Sequence, residues 1–170
     1  MSEARVRPAL PEDAARIGEI NVVAWRATYG GIVPQPILDS MTVEARTGWW
    51  RKRIEDPGER RVAVVELDGT VEGYVLYGPA RDHDLPDLAG EVYAIYVHPD
   101  AQRQGLGSAL LDAARASLDE DGYEPLVLWV ITRNATARSF YESLGWQADG
   151  SAQPIDFDGT QVEEIRYRAS

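Results

Sequence analysis

Seven residues, Gln102-Arg103-Gln104-Gly105-Leu106-Gly107-Ser108, join an apolar run to a periodic one, and this junction could do chemistry. The run before it, Val92 to Val97, is β-branched and aromatic, as a buried strand is. His98-Pro99-Asp100 stops that strand, because proline has no N–H to give to a sheet ladder. After the glycines, Leu106, Leu110, Ala114 and Leu118 recur at helical spacing with Leu111 beside them. A strand, a glycine turn and a helix N-terminus gather free backbone N–H groups, and the helix dipole adds to their attraction for an anion. Two phosphate patterns are incomplete here. A P-loop needs Lys-Ser/Thr after its last glycine, where the chain has Ser108-Ala109, and the dinucleotide fingerprint needs a glycine where the chain has Leu110.

Gln102-x-x-Gly105-x-Gly107 instead resembles the pyrophosphate loop of the GNAT superfamily of acyl-CoA-dependent N-acetyltransferases. Downstream, Asn134-Ala135-Thr136-Ala137-Arg138-Ser139-Phe140-Tyr141-Glu142-Ser143-Leu144-Gly145-Trp146 resembles that family's C-terminal signature, N-x-x-A-x-x-F-Y-x-x-x-G-F/W. The order and separation of the two motifs match as well. Ala24-Trp25-Arg26-Ala27-Thr28-Tyr29 is similar to the first helix of a common subgroup. The resemblance runs from about the first strand to the last.

It implies an α+β, three-layer α/β/α fold filling residues 1–170 as a single domain. The central sheet would be mixed and mostly antiparallel, with about seven strands splayed between the fourth and fifth and about four flanking helices. It implies direct transfer of the acetyl group of acetyl-CoA to a primary amine, on a small molecule or a peptide N-terminus. A non-catalytic acyl-CoA-binding regulatory module on the same fold is the competing reading.

Site roles follow from the same resemblance. Backbone N–H groups around Ile95, Tyr96 and Val97 would polarise the thioester carbonyl and pair with the pantetheine arm. Gln102 and the amides of Arg103, Gln104, Gly105, Leu106, Gly107 and Ser108 would hold the pyrophosphate. Tyr141 matches the general acid that returns a proton to the coenzyme A thiolate. Asn134 lies seven residues earlier, about two turns or roughly 10 Å along a helix, where it would touch the pantetheine arm or cap the helix. Some family members carry a carboxylate five residues before that asparagine, and here the position is Trp129. Glu91 is the remaining candidate base and acceptor contact; strand alternation puts it on one face with Tyr93, Ile95 and Val97. An amine with a pKa of about 8 needs little help from a base, a lysine-type amine at about 10.4 more. Trp25, Tyr29, the loop from Gly78 to Gly90 and Trp146 are the expected acceptor pocket, since aromatic faces and acids suit an amine. Trp49 and Trp50 are expected to pack helices.

The other elements follow from pattern. Expected strands are Ala4 to Pro8, Arg61 to Leu67, Thr70 to Tyr77, Pro125 to Ile131, Trp146 onward and Gln161 to Arg168. Asp68-Gly69 and Asp158-Gly159 supply hairpin turns. Expected helices run from Pro11 to Tyr29, from Val43 to Ile54 and from Asn134 to before Gly145, with a short turn near Ile37-Leu38.

Composition narrows the function. The chain has 170 residues, no cysteine and two histidines, which removes disulfides and thiol chemistry and leaves little for a metal. No apolar run approaches the ~20 residues of a membrane span, and the N-terminus lacks a signal-like segment, so a cytoplasmic protein is expected. A net charge of −11 argues against nucleic-acid partners. It also repels coenzyme A, which local amides and Arg103 would have to capture. A homodimer is a possible assembly.

Overall fold

The computed structural model describes residues 2–170. Strands β1 (Ala4–Pro8), β2 (Arg61–Leu67), β3 (Thr70–Pro79), β4 (Gly90–Val97), β5 (Leu126–Ile131), β6 (Gln147–Phe157) and β7 (Thr160–Arg168) form one sheet in the order β1-β2-β3-β4-β5-β7-β6. Every neighbouring pair is antiparallel except β4–β5, which is parallel. Both Asp-Gly dipeptides turn hairpins, β2–β3 and β6–β7.

Among the described residues, five helices cover the sheet: α1 (Ala14–Tyr29), α2 (Gln35–Ser40), α3 (Val43–Glu55), α4 (Leu106–Glu120) and α5 (Ala135–Ser143). The fifth, α2, is the short turn expected near Ile37-Leu38, wound into six residues. The helix expected from Pro11 divides, with a 3-10 turn over Pro11–Asp13 and α-helix from Ala14. The Asp13 carboxylate accepts from the Leu10 N–H (2.7 Å) and from Arg7 (2.8 Å), which anchors this entry to β1. Thr42 caps α3 by accepting from the Ala45 N–H.

The two faces bury separate cores. On one, Leu106, Leu110, Leu111, Ala114 and Leu118 of α4 pack with Tyr141 of α5 against Val65, Val75, Val92, Leu128 and Tyr167. Each leucine buried this fully stabilises the fold by about 1.5–3 kcal/mol. On the other, Ile17 and Ile20 of α1 and Trp50 of α3 pack on Val64, Val71, Tyr74 and Leu76. A third cluster joins Tyr29 and Leu38 to Ile131 and Val162.

Strand β4 is irregular on both of its edges. It pairs with β5 only from Gly90 to Val92, opposite Leu126 to Leu128, and beyond that the strands part. Its register with β3 also slips: Leu76 faces Ala94 while Tyr77 faces Val92, so Tyr93 is a bulge residue. The bulge corrects the expected alternation. Ile95 and Val97 turn to the α4–α5 face, whereas Tyr93, Ala94 and Tyr96 pack on the α1–α3 side. Glu91, one residue from Val92 of the α4–α5 core, lies across the sheet from Ile95 and Val97.

Candidate active site

The parting of β4 and β5 leaves backbone groups exposed in a regular pattern. The His98 N–H donates to the Glu72 carbonyl at 2.7 Å, which marks a hydrogen-bonded rung between β3 and its partner. Rungs alternate in an antiparallel ladder, so Tyr96 and Ala94 also turn their backbone to β3. The N–H and C=O groups of Ile95 and Val97 point the other way, into the gap. Of the three amides expected there, that of Tyr96 is turned to β3, while its side-chain hydroxyl bonds that of Tyr29.

At the end of β4, a 3-10 turn over Pro99–Ala101 leads into the glycine loop, with His98 Nδ1 accepting from the Asp100 N–H. Gln102, Arg103, Gln104 and Gly105 are exposed. Arg103 and Gly105 adopt left-handed backbone, φ 63° and 78°, which reverses the chain sharply into α4. Gly105 is the cap of α4 and offers no side chain, so the first-turn N–H groups of Leu106, Gly107 and Ser108 face outward without a capping acceptor. Leu106 is buried and anchors this turn. A Cβ on Gly107 would stand 3.2 Å from the Phe140 ring, so its absence lets α4 and α5 cross closely.

Tyrosines from both sides meet at the gap. The hydroxyls of Tyr29 and Tyr96 are hydrogen-bonded at 2.8 Å, and Trp25 packs edge-on against Tyr29 with centroids 4.8 Å apart. From the opposite face comes Tyr141, 8% exposed and packed between Phe140 and Tyr167. Its hydroxyl has no hydrogen-bond partner among the described residues. Burial, with Tyr29 close by, pushes the Tyr141 phenol above its ordinary range, so it keeps its proton at neutral pH. Burial also raises Tyr96 well above its ordinary value, helped by Tyr29, Tyr74 and Tyr141. Tyr29 is raised by burial and by the charge of Glu164, against hydrogen bonding from Tyr96 and Asn134. Asn134 caps α5 with its Oδ1, accepting from the Ala137 N–H at 3.2 Å.

Beside the tyrosines lies a cavity of about 590 Å³, lined by Arg81, Asp82, His83, Asp84, Trp129, Ser151, Gln153, Glu164 and Arg166. At its edge Glu91, the expected base, is held in an ion pair with Arg81. The side chain is 1% exposed, and its oxygens accept from the Arg81 N–H (3.1 Å) and guanidinium (2.7 Å). The Arg81 side chain that holds it is itself 56% exposed at the cavity edge. Trp129, at the position where some family members carry a carboxylate, donates its indole N–H to Asp82 at 3.0 Å, so the β3–β4 loop carries an acid to that point. Arg166, 4% exposed, lies over the Trp129 ring and binds Asp82, Asp84 and Asp149.

Trp146, expected at the acceptor pocket, is instead 1% exposed in the α4–α5 core. Trp50 is likewise a core residue, and Trp49 stacks on Arg46 and Arg53. Sequence reasoning missed Glu164 and Arg166. Their only local signal is alternation with Val162, which puts the three on one face of β7. No cluster of metal-binding side chains exists among the described residues. Nor is any described helix long and apolar enough to cross a membrane.

A model of the Acetyltransferase (GNAT) family matches residues 23–146. The chain is 34% identical over 164 residues to the uncharacterized N-acetyltransferase YuaI of Bacillus subtilis (strain 168), covering 96% of this chain and 88% of that one. A probable N-acetyltransferase of Mycobacterium tuberculosis is 29% identical over 175 residues, covering 98% and 94%. Among solved structures, the PaiA N-acetyltransferase of Thermoplasma acidophilum in complex with coenzyme A superposes with a TM-score of 0.75 at 18% identity. That match covers 96% of this chain and 98% of that one, and at such identity the likeness is one of fold.

Proposed function

The chain belongs to the GNAT family of acetyltransferases, and from that premise we propose that it moves the acetyl group of acetyl-CoA directly to a primary amine of a small molecule or a peptide N-terminus. The observation that carries this reading is the unpartnered hydroxyl of Tyr141, a largely buried residue at a gap in the sheet, one helix away from an uncapped, glycine-bounded helix terminus. Acetyl-CoA supplies an activated acyl carbon; the rest is done by residues of the chain.

The fit rests on complementary groups. The outward amides of Leu106, Gly107 and Ser108, with Gln104 and Gly105 in the same loop, suit a pyrophosphate. Arg103 adds an exposed cation on an otherwise acidic protein, and Gln102 donates to the Val97 carbonyl at 3.4 Å at the mouth of the gap. The free N–H groups of Ile95 and Val97, with the Ile95 C=O, suit the amides of a pantetheine arm lying as an extra strand. One of these N–H groups, aimed at the thioester oxygen, stabilises the charge that develops there. Asn134, fixed by its cap bond, lines the same path. Tyr141 donates its proton to the departing sulfur. Trp25 and Tyr29 wall the side from which an amine approaches, and Glu91 acts indirectly, by holding Arg81 at the cavity edge.

The test is release of free thiol from acetyl-CoA over a panel of α-amines and alkylamines. Amine-dependent release supports the reading. Acetyl-CoA binding with no turnover on any amine would point to the non-catalytic acyl-CoA-binding module instead.

A further inference from the structure

The carboxylates beside the cavity differ in one respect. Asp82, Asp84 and Asp149 are all bound to the Arg166 guanidinium, and Glu91 is bound to Arg81. Of these acids Glu164 alone makes no ion pair among the described residues; its hydrogen bond is accepted from Gln153 Nε2 at 2.6 Å. It is half-buried on β7, opposite Ile131, where β5 has separated from β4. Its charge reaches the Tyr29 hydroxyl, which is bonded to Tyr96 and lies near Tyr141.

We infer that Glu164 binds the acceptor's ammonium group and takes its proton before attack. This rests on the acetyl-transfer reading above and adds the base that the reading lacks. The proton balance closes. One ammonium N–H bond breaks and its proton passes to Glu164. The freed lone pair forms the C–N bond, while the C–S pair leaves on sulfur and takes the Tyr141 proton. The second nitrogen proton restores Tyr141, and Glu164 releases its own to solvent.

The surroundings suit this task. Burial raises the Glu164 carboxyl above the usual carboxylate range, and Glu91 on β4 and Asp82 on the β3–β4 loop raise it further. Gln153 on β6 and Arg81 on the same loop act in the opposite direction. Tyr29 faces it from α1, and Arg166 lies two residues along β7. A carboxylate shifted toward neutrality is a stronger base than one fixed to a guanidinium. The cavity lining sets three carboxylates, Asp82, Asp84 and Glu164, against two guanidiniums, Arg81 and Arg166, so its net charge favours a cationic head, and Glu164 is the carboxylate of the three that no guanidinium binds.

Glu164→Gln keeps the shape and a hydrogen-bonding group for Gln153. The variant should bind acetyl-CoA within about twofold of wild type, yet lose about 10²- to 10⁴-fold in kcat on the best alkylamine of the panel. The loss should be at least about tenfold smaller on an α-amine, whose proton leaves more readily. Wild-type kcat should rise with pH through a group above the usual carboxylate range, and the variant should lack that limb. Glu164→Asp should recover part of the rate. Active wild type with a Glu164→Gln variant that keeps its kcat, amine preference and pH limb would overturn the role of Glu164 and leave acetyl transfer standing. A wild type that acetylates no amine would overturn both.

Discussion

Removing the Tyr141 hydroxyl separates chemistry from stability, because the structure gives this group nothing to hold. Tyr141→Phe keeps the ring in contact with Phe140 and Tyr167 and breaks no hydrogen bond among the described residues. Its effect on unfolding free energy should stay within about 0.5 kcal/mol. A general acid contributes about 10²- to 10⁴-fold to rate, so kcat should fall by about 10³, equivalent to about 4 kcal/mol of barrier. Tyr74→Phe is the matched control. The Tyr74 hydroxyl is fully buried and accepts from Asn21 Nδ2 at 2.8 Å, so its loss leaves a buried amide unpaired at a cost of about 1–3 kcal/mol. In a domain of this size that should lower Tm by roughly 2–4 °C per kcal/mol, with catalysis affected only through the amount of folded protein. Denaturant unfolding and thiol release, run on the three proteins in parallel, read both quantities. A Tyr141→Phe enzyme turning over within threefold of wild type, or destabilised by more than about 1.5 kcal/mol, would refute the assignment.

The glycine loop and the α1 entry give further expectations. Gly105→Ala adds a Cβ that meets nothing within 4 Å, so its cost is the left-handed backbone alone, about 1–2 kcal/mol. Relaxing that strain turns the first-turn amides, and calorimetry should show acetyl-CoA affinity falling at least about tenfold. Acid stability should depend on Asp13. Burial alone would raise its carboxyl, but the Arg7 and Leu10 bonds outweigh burial and hold it below the ordinary value. Its contribution is therefore present above pH ~4 and lost as pH falls through the lowered folded value, a slope that Asp13→Asn should lack in pH-dependent unfolding.

Residues whose partners are close in sequence could be read directly. The leucine period of α4, the Asp-Gly hairpins and the Asn134 cap depend on spacing within a turn or two, and each appears where its spacing puts it. The fold and family were legible for the same reason, since both motifs are local. What eluded the sequence is non-local. The Tyr93 bulge arises from the β3–β4 register and moves Ile95 and Val97 to the opposite face from the one Glu91 occupies. Glu91 is tied to Arg81 ten residues away, and Arg166 gathers Asp82 and Asp84 from more than eighty. Trp146 looks like a pocket aromatic from its motif, yet the turn after α5 folds it under α4. Glu164 gains its distinction only by comparison with acids that the β3–β4 loop, β4 and β6 supply.

Binding of acetyl-CoA set against binding of S-acetyl-pantetheine, which lacks the pyrophosphate and nucleotide, tests the account at its centre. Two charge-assisted contacts at about 1.5 kcal/mol each are worth roughly a hundredfold, so acetyl-CoA should bind near micromolar and the truncated thioester at least about 100-fold more weakly. Equal affinities, or no binding of acetyl-CoA at about 100 μM, where a micromolar site would be saturated, would contradict the assignment of the glycine loop and the gap beside β4.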